Sequence, residues 1–161
     1  MLKIKDSILE TLIAQVNADL QVATQAAASS SSGAKDESMK SDGKYDTRAI
    51  EAGQLAGAQL RRVEELKLEL QMLEEMPRRT FSKEDEIGLG ALVDIQFKGQ
   101  TRKYFICSTA GGTMLKVDGM GILVISVFSP IGDAVLELKC GDIFELETPN
   151  EVRQYQVMGV A

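Results

Sequence analysis

The chain contains no histidine and no tryptophan. Without histidine it lacks the commonest general base, the usual catalytic triads and most zinc sites. Five Phe and three Tyr are its only aromatic residues, which argues against a large aromatic core. Cysteine is scarce too. Cys107 lies in an apolar strand pattern and Cys140 in a loop, with neither a disulfide framework nor zinc spacing between them. They read as reduced thiols of a cytoplasmic protein. Long apolar runs are missing. The opening helical stretch has no continuous apolar segment of the kind a signal peptide needs, and no later stretch approaches a membrane span. Positive charge is outnumbered: 18 Lys and Arg stand against 24 Asp and Glu, a net charge of −6. Both parts are acidic, with 9 basic and 13 acidic groups in residues 1–76 and 9 and 11 in residues 77–161. This excludes free nucleic acid as the main partner, because neutralising phosphates needs a basic surface.

What is present is ordinary in bulk and patterned in detail. The 161 residues suffice for one domain or two small ones, and 44% hydrophobic with 26% charged content fits a soluble chain. Leu9, Leu12, Val16, Leu20, Ala23 and Ala27 recur at spacings of three and four, widened by Ile8 and Ile13, and form the stripe of an amphipathic helix. Ser29 to Ser32 and Gly33 are expected to end it, since they offer the backbone competing hydrogen bonds and added entropy. A second helix is expected from Asp46 or Thr47, either of which can cap free N–H groups. Ala49, Ala52, Ala56, Gln59, Val63, Leu66, Leu70 and Leu73 follow a strict 3-4 repeat, a coiled-coil seam. In both stripes Ala lies near the intervening loop and the larger residues lie far from it. That mirror symmetry is what an antiparallel hairpin requires.

The loop itself, about residues 33–48, has no apolar period, four carboxylates (Asp36, Glu37, Asp42, Asp46) and four basic residues. It is read as the tip of a helical hairpin spanning residues 1–76. The charged outer faces, such as Arg61-Arg62 and Glu64-Glu65, read as solvated.

Pro77 stops the second helix, and residues 77–88 read as a linker. Residues 89–161 then change to the period of strands: Val93 to Phe97, Tyr104 to Cys107, Met114 to Val117, Ile122 to Val127, Ile143 to Glu147 and Val152 to Val160. Gly99-Gln100 and Asp118-Gly119 are expected turns. Ser129 is a good N-cap and Pro130 suits a first helical position. A short helix bearing Ile131, Ala134, Val135 and Leu138 follows, with Lys139 and Gly141 at its end. The expected class is α+β: an N-terminal antiparallel helical hairpin, then a small, mostly antiparallel sheet with one short helix in a crossover.

The run Ile125-Ser126-Val127-Phe128-Ser129-Pro130-Ile131-Gly132-Asp133-Ala134-Val135-Leu136, then Lys139-Cys140-Gly141-Asp142, then Glu147-Thr148-Pro149, resembles the Gre-type transcription elongation factors of bacteria. With the hairpin, the resemblance covers most of the chain. It implies a C-terminal domain resembling the FK506-binding-protein fold that docks on RNA polymerase, with Ser129, Pro130, Ile131 and Gly132 at the docking surface. It implies that the hairpin enters the secondary channel of the polymerase. The factor would then be no enzyme itself and would have no cofactor of its own. It would act as a cytoplasmic monomer without membrane contact, meeting nucleic acid only through the polymerase complex.

The resemblance also gives the tip a role. A polymerase active site holds one magnesium ion firmly, and RNA hydrolysis needs a second with an activated water. Tip carboxylates can supply oxygen ligands to such a shared magnesium ion. Cleavage-competent members carry a tip like Asp-Leu-x-Glu-Asn-Ala-Glu-Tyr. Here Tyr45 matches the Tyr, Asp42 takes the Glu position if one residue is deleted, and Asp36 or Glu37 is the nearest counterpart of the first Asp. Gly43-Lys44 replaces the Asn-Ala-Glu run. Asp42, Asp36 and Glu37 are therefore the candidate catalytic carboxylates, with Asp42 and Asp36 the candidate magnesium ligands. The alternative is a loop of solvated charges with no ligand role.

Two readings follow for the polymerase factor: one that aids cleavage of backtracked RNA, and one that occupies the channel and modulates or inhibits without cleavage. Two others belong to different classes. A helical-hairpin adaptor would leave the chemistry untouched. A peptidyl-prolyl isomerase would need an aromatic-lined proline pocket, and the few aromatics of the C-terminal part are largely needed for packing.

Overall fold

The computed structural model describes residues 2–40 and 47–161, with side-chain surroundings for 2–29 and 53–161. The element order is α1 (Leu2–Lys40), α2 (Thr47–Glu74), β1 (Leu92–Phe97), β2 (Gln100–Cys107), β3 (Met114–Val117), β4 (Met120–Ser126), α3 (Pro130–Val135), β5 (Ile143–Glu147) and β6 (Val152–Val160). The class is α+β. The chain divides into two compact units, Met1–Leu12 with Met72–Ala161 and Ile13–Gln71.

Ile13–Gln71 contains the remainder of α1 and most of α2. Only residues 41–46 separate the two helices, so within one compact unit α2 must return antiparallel to α1. Val16, Ala23 and Ala27 of α1 and Ala56, Val63 and Leu66 of α2 are buried, and Gln59 and Leu70 are half-buried. These are the positions of the two stripes read from the sequence. The outer face carries Arg62 bonded to Glu65 and Glu69, and Lys67 to Glu64, all largely exposed pairs worth little individually.

One expectation about this unit fails. Residues 29–33 do not end α1, which continues to Lys40. Four serines and one glycine cost a helix only about 0.5–1 kcal/mol each. They are flanked by alanines before and by Ala34, Lys35, Glu37, Met39 and Lys40 after, mostly strong helix formers that carry the backbone ladder across. Of the expected tip loop, residues 33–40 thus belong to α1 and Thr47 and Arg48 to α2, while residues 41–46 lie outside those described.

The other unit is built on a six-stranded sheet of order β3-β4-β2-β1-β6-β5. The sheet is mixed rather than purely antiparallel: β2 pairs parallel to β4, and the other neighbours are antiparallel. The turns are Lys98-Gly99, one residue earlier than expected, and Asp118-Gly119. All four residues have positive φ, the conformation a two-residue hairpin of matching twist requires. β3 is thereby folded onto the outside of β4. Helix α3 carries the chain from β4, near one edge, to β5 at the other, and ends at Val135, earlier than its apolar pattern predicts. Glu137 then adopts a positive φ and turns the chain so that Glu137 and Leu138 exchange hydrogen bonds with Ile87.

The core under α3 gathers Val93, Ile95, Ile106, Ile125, Val135 and Val157 with Phe144 and Tyr155. Rings of Phe97, Tyr155 and Phe144 stack in a row with centroids 4.9 and 5.1 Å apart. The alternating residues of the opposite face, Phe105, Ile122 and Val124, are fully buried as well. The apolar groups of the same unit available to cover them are Ile8, Leu9 and Leu12 of α1 with Leu73 and Met76.

The start of α1 is tied to the linker. Lys5 is 1% exposed, its ammonium donates to the Arg79 carbonyl at 2.8 Å, and it lies 4.7 Å from the centre of the Phe81 ring. Asp6 pairs with Arg78 at 3.2 Å. Gly90 has φ +85°, and a Cβ there would stand 2.5 Å from the Pro77 carbonyl oxygen, so only glycine lets the linker close against β1.

Candidate functional site

The resemblance motif folds into three turns of the C-terminal unit, and each has a local physical cause. The first joins β4 to α3. The Ser126 carbonyl accepts from both the Ser129 N–H (3.0 Å) and the Ser129 hydroxyl (2.6 Å). The Ser129 oxygen in turn accepts from Gly132 N–H at 3.1 Å, the N-cap bond the sequence anticipates, with Pro130 at the first helical position. Phe128 N–H donates to the Ser126 hydroxyl at 3.2 Å. A Cβ on Gly132 would stand 1.9 Å from the Ser126 oxygen, so the turn closes only around glycine.

The second turn is Lys139-Cys140-Gly141-Asp142. The Asp142 carboxylate accepts from Lys139 N–H at 2.8 Å, and Gly141 and Asp142 bond with Val157 of β6. Gly141 has φ +94°. The Cys140 thiol donates to the Met158 carbonyl at 3.3 Å. The third is the β5–β6 turn, where the Thr148 hydroxyl donates to Glu151 C=O at 2.7 Å and accepts from Glu151 N–H at 3.1 Å.

These bonds divide the four expected docking residues. Gly132 is buried and Ser129 is half-buried with its hydroxyl fully engaged, so both shape the loop. Pro130 is exposed, and half-buried Ile131 packs against the core. Next to them, and not singled out by sequence, Phe128 is 81% exposed. Beside the loop runs an open groove of about 500 Å³, lined by residues 108–112, by Leu123 and Ile125, and by Phe128, Ser129 and Ile131. Gly111 makes its wall possible: a Cβ there would crowd Ser126 at 3.0 Å. No sequence pattern marks this groove, because its walls come from segments about 15 residues apart that only the parallel β2·β4 pairing brings together.

The tip carboxylates stand differently. Asp36 and Glu37 are placed by their backbone in the last turns of α1, and their side chains, like Asp42 and Tyr45 entirely, lie outside the described residues. Among the described residues no cluster of Cys, Asp and Glu could hold a metal ion, and no helix is long and apolar enough to cross a membrane. Cys107 is buried, and that burial pushes its thiol pKa up.

Residues 82–161 match the C-terminal domain family of the transcription elongation factors GreA and GreB. No curated protein matches the chain. Among solved structures it is similar to GreA factor homolog 1 of Thermus thermophilus, at 25% identity over 96% of this chain and 93% of that one, with a TM-score of 0.38. It is similar to the Gfh1 protein of Thermus aquaticus at 24% identity over 98% and 94%, TM-score 0.40. A GreA/GreB elongation factor from Nitrosomonas europaea is 20% identical over 61% and 78%, TM-score 0.35. The domain that carries all three turns belongs to the C-terminal domain family of the transcription elongation factors GreA and GreB.

Proposed function

We propose that the chain binds RNA polymerase through its C-terminal domain and places the two-helix segment in the secondary channel, as a monomer and without enzymatic activity of its own. The observation that carries this reading is the β4–α3 loop: a family motif whose polar groups bond to one another and whose Phe128 and Pro130 are left exposed. At the far end of the helices, Asp42, with Asp36 and Glu37, would lend carboxylate oxygens to magnesium supplied by the polymerase active site and so aid cleavage of backtracked RNA. A slender helical segment suits the task, since α2 alone, with 28 residues, is about 42 Å long at about 1.5 Å per residue.

One observation favours a second reading, a channel-occupying modulator that does not cleave. Gly43-Lys44 stands where cleavage-competent members carry Asn-Ala-Glu, replacing a carboxylate by an ammonium near the metal. The deciding experiment adds the chain to backtracked elongation complexes over a range of magnesium concentrations. The cleavage reading expects release of short 3′ RNA fragments, strong loss on Asp42→Asn and partial rescue by added magnesium through mass action. Asp46→Asn should be mild, Asn being about as good a helix cap. Slowed elongation with no fragment at any magnesium level selects the second reading.

A further inference from the structure

We propose that Phe128 is the anchor of the docking surface and that its ring enters an apolar pocket on RNA polymerase. This rests on the polymerase-binding reading and adds the residue and the chemistry of the contact. Among the described residues Phe128 is the most exposed large hydrophobic side chain, at 81%. It does not stand alone in polar surroundings, where an exposed apolar residue would need no explanation. It borders the groove whose lining includes Leu123, Ile125 and Ile131 together with the polar but uncharged Ser108, Thr109 and Ser129. No charged side chain lines that groove. An exposed aromatic beside an uncharged, largely apolar groove has the composition of a binding hot spot.

The backbone beneath the ring is already fixed. Val127 N–H donates to the Cys107 carbonyl at 3.0 Å, Phe128 N–H to the Ser126 hydroxyl at 3.2 Å, and Ser129 N–H to the Ser126 carbonyl at 3.0 Å. The loop therefore loses little freedom on binding, and the gain from burying the ring goes into affinity. Because the contact is apolar, its contribution is insensitive to ionic strength, unlike that of charged rim residues.

The test is a fluorescence titration of the full chain against bacterial core RNA polymerase at low and high salt, with thermal melts of each variant. Phe128→Ala should weaken binding by about thirtyfold, the loss typical of a hot-spot aromatic. That ratio should persist at high salt, the melt should match the wild type, and Phe128→Trp should bind within about threefold of wild type. Wild-type binding with Phe128→Ala within threefold, or a loss that vanishes at high salt, overturns the anchor and leaves polymerase binding standing. Absence of wild-type binding overturns both.

Discussion

Gly132 and Phe128 stand four residues apart and serve the same loop in opposite ways. Gly132 is buried where a single added carbon would strike the Ser126 oxygen, whereas Phe128 is a large ring left in water. The Ser-Pro-x-Gly signature of the loop was legible because capping chemistry is local: a hydroxyl, a fixed φ and an absent Cβ all act within one turn. The exposure of Phe128 was not legible, since a Phe after a β-branched run reads equally as the buried end of a strand. The burial of Lys5 is illegible for a similar reason. Nothing local tells a lysine in an apolar helical stripe from one that reaches water. Burial, and after it the charge of Arg79, lower its pKa from 10.5 to about 8. Below about pH 8 it is charged in both folded and unfolded chains, and the fold carries the full cost of burying that charge. From there to about 10.5 the unfolded chain binds more protons, so stability should rise with pH across this window and level off above it. Lys5→Met should flatten the rise. Urea unfolding of wild type and variant between pH 7.5 and about 10.5 checks it, and an unchanged slope would place the ammonium in water.

At the scale of elements, the helical stripes were the most readable part of the sequence. A seam repeating at three and four residues has one solution, and Ala56, Val63, Leu66 and Leu73 are all buried on it. The end of α1 is not legible at residues 29–33 because serine and glycine weaken a helix without forbidding it. Strand positions were readable to within a few residues, but the parallel pairing of β2 with β4 was not: alternation reports which face of a strand is buried and carries nothing about its neighbours. The groove beside Phe128 depends on that pairing and was invisible with it. The seam makes a sharp contrast testable. Leu66, 1% exposed, should lose about 2–5 kcal/mol on truncation to Ala, whereas Leu68, 58% exposed and two positions on, should change stability by no more than about 0.5 kcal/mol. Equal losses in paired denaturant melts would show that α2 is rotated from the orientation described.

At the scale of the whole molecule, the proposed function joins a docking domain and an acidic helical tip through the polymerase that both would meet. The C-terminal domain carries an uncharged groove beside the β4–α3 loop, which the proposed function makes the docking surface, and the carboxylates Asp36 and Glu37 lie far from it along the chain. Among the described residues no cluster of Cys, Asp and Glu could hold a metal ion, and in the proposed function the tip carboxylates act on magnesium that the polymerase supplies. The net charge of −6 fits recognition of a protein better than of nucleic acid. The most direct measurement is equilibrium binding of the full chain to bacterial core RNA polymerase, in the absence and presence of an authentic Gre factor. The account predicts saturable one-to-one binding that the Gre factor displaces competitively, because both use one docking surface and one channel. No binding, or binding that a saturating Gre factor leaves untouched, would contradict it.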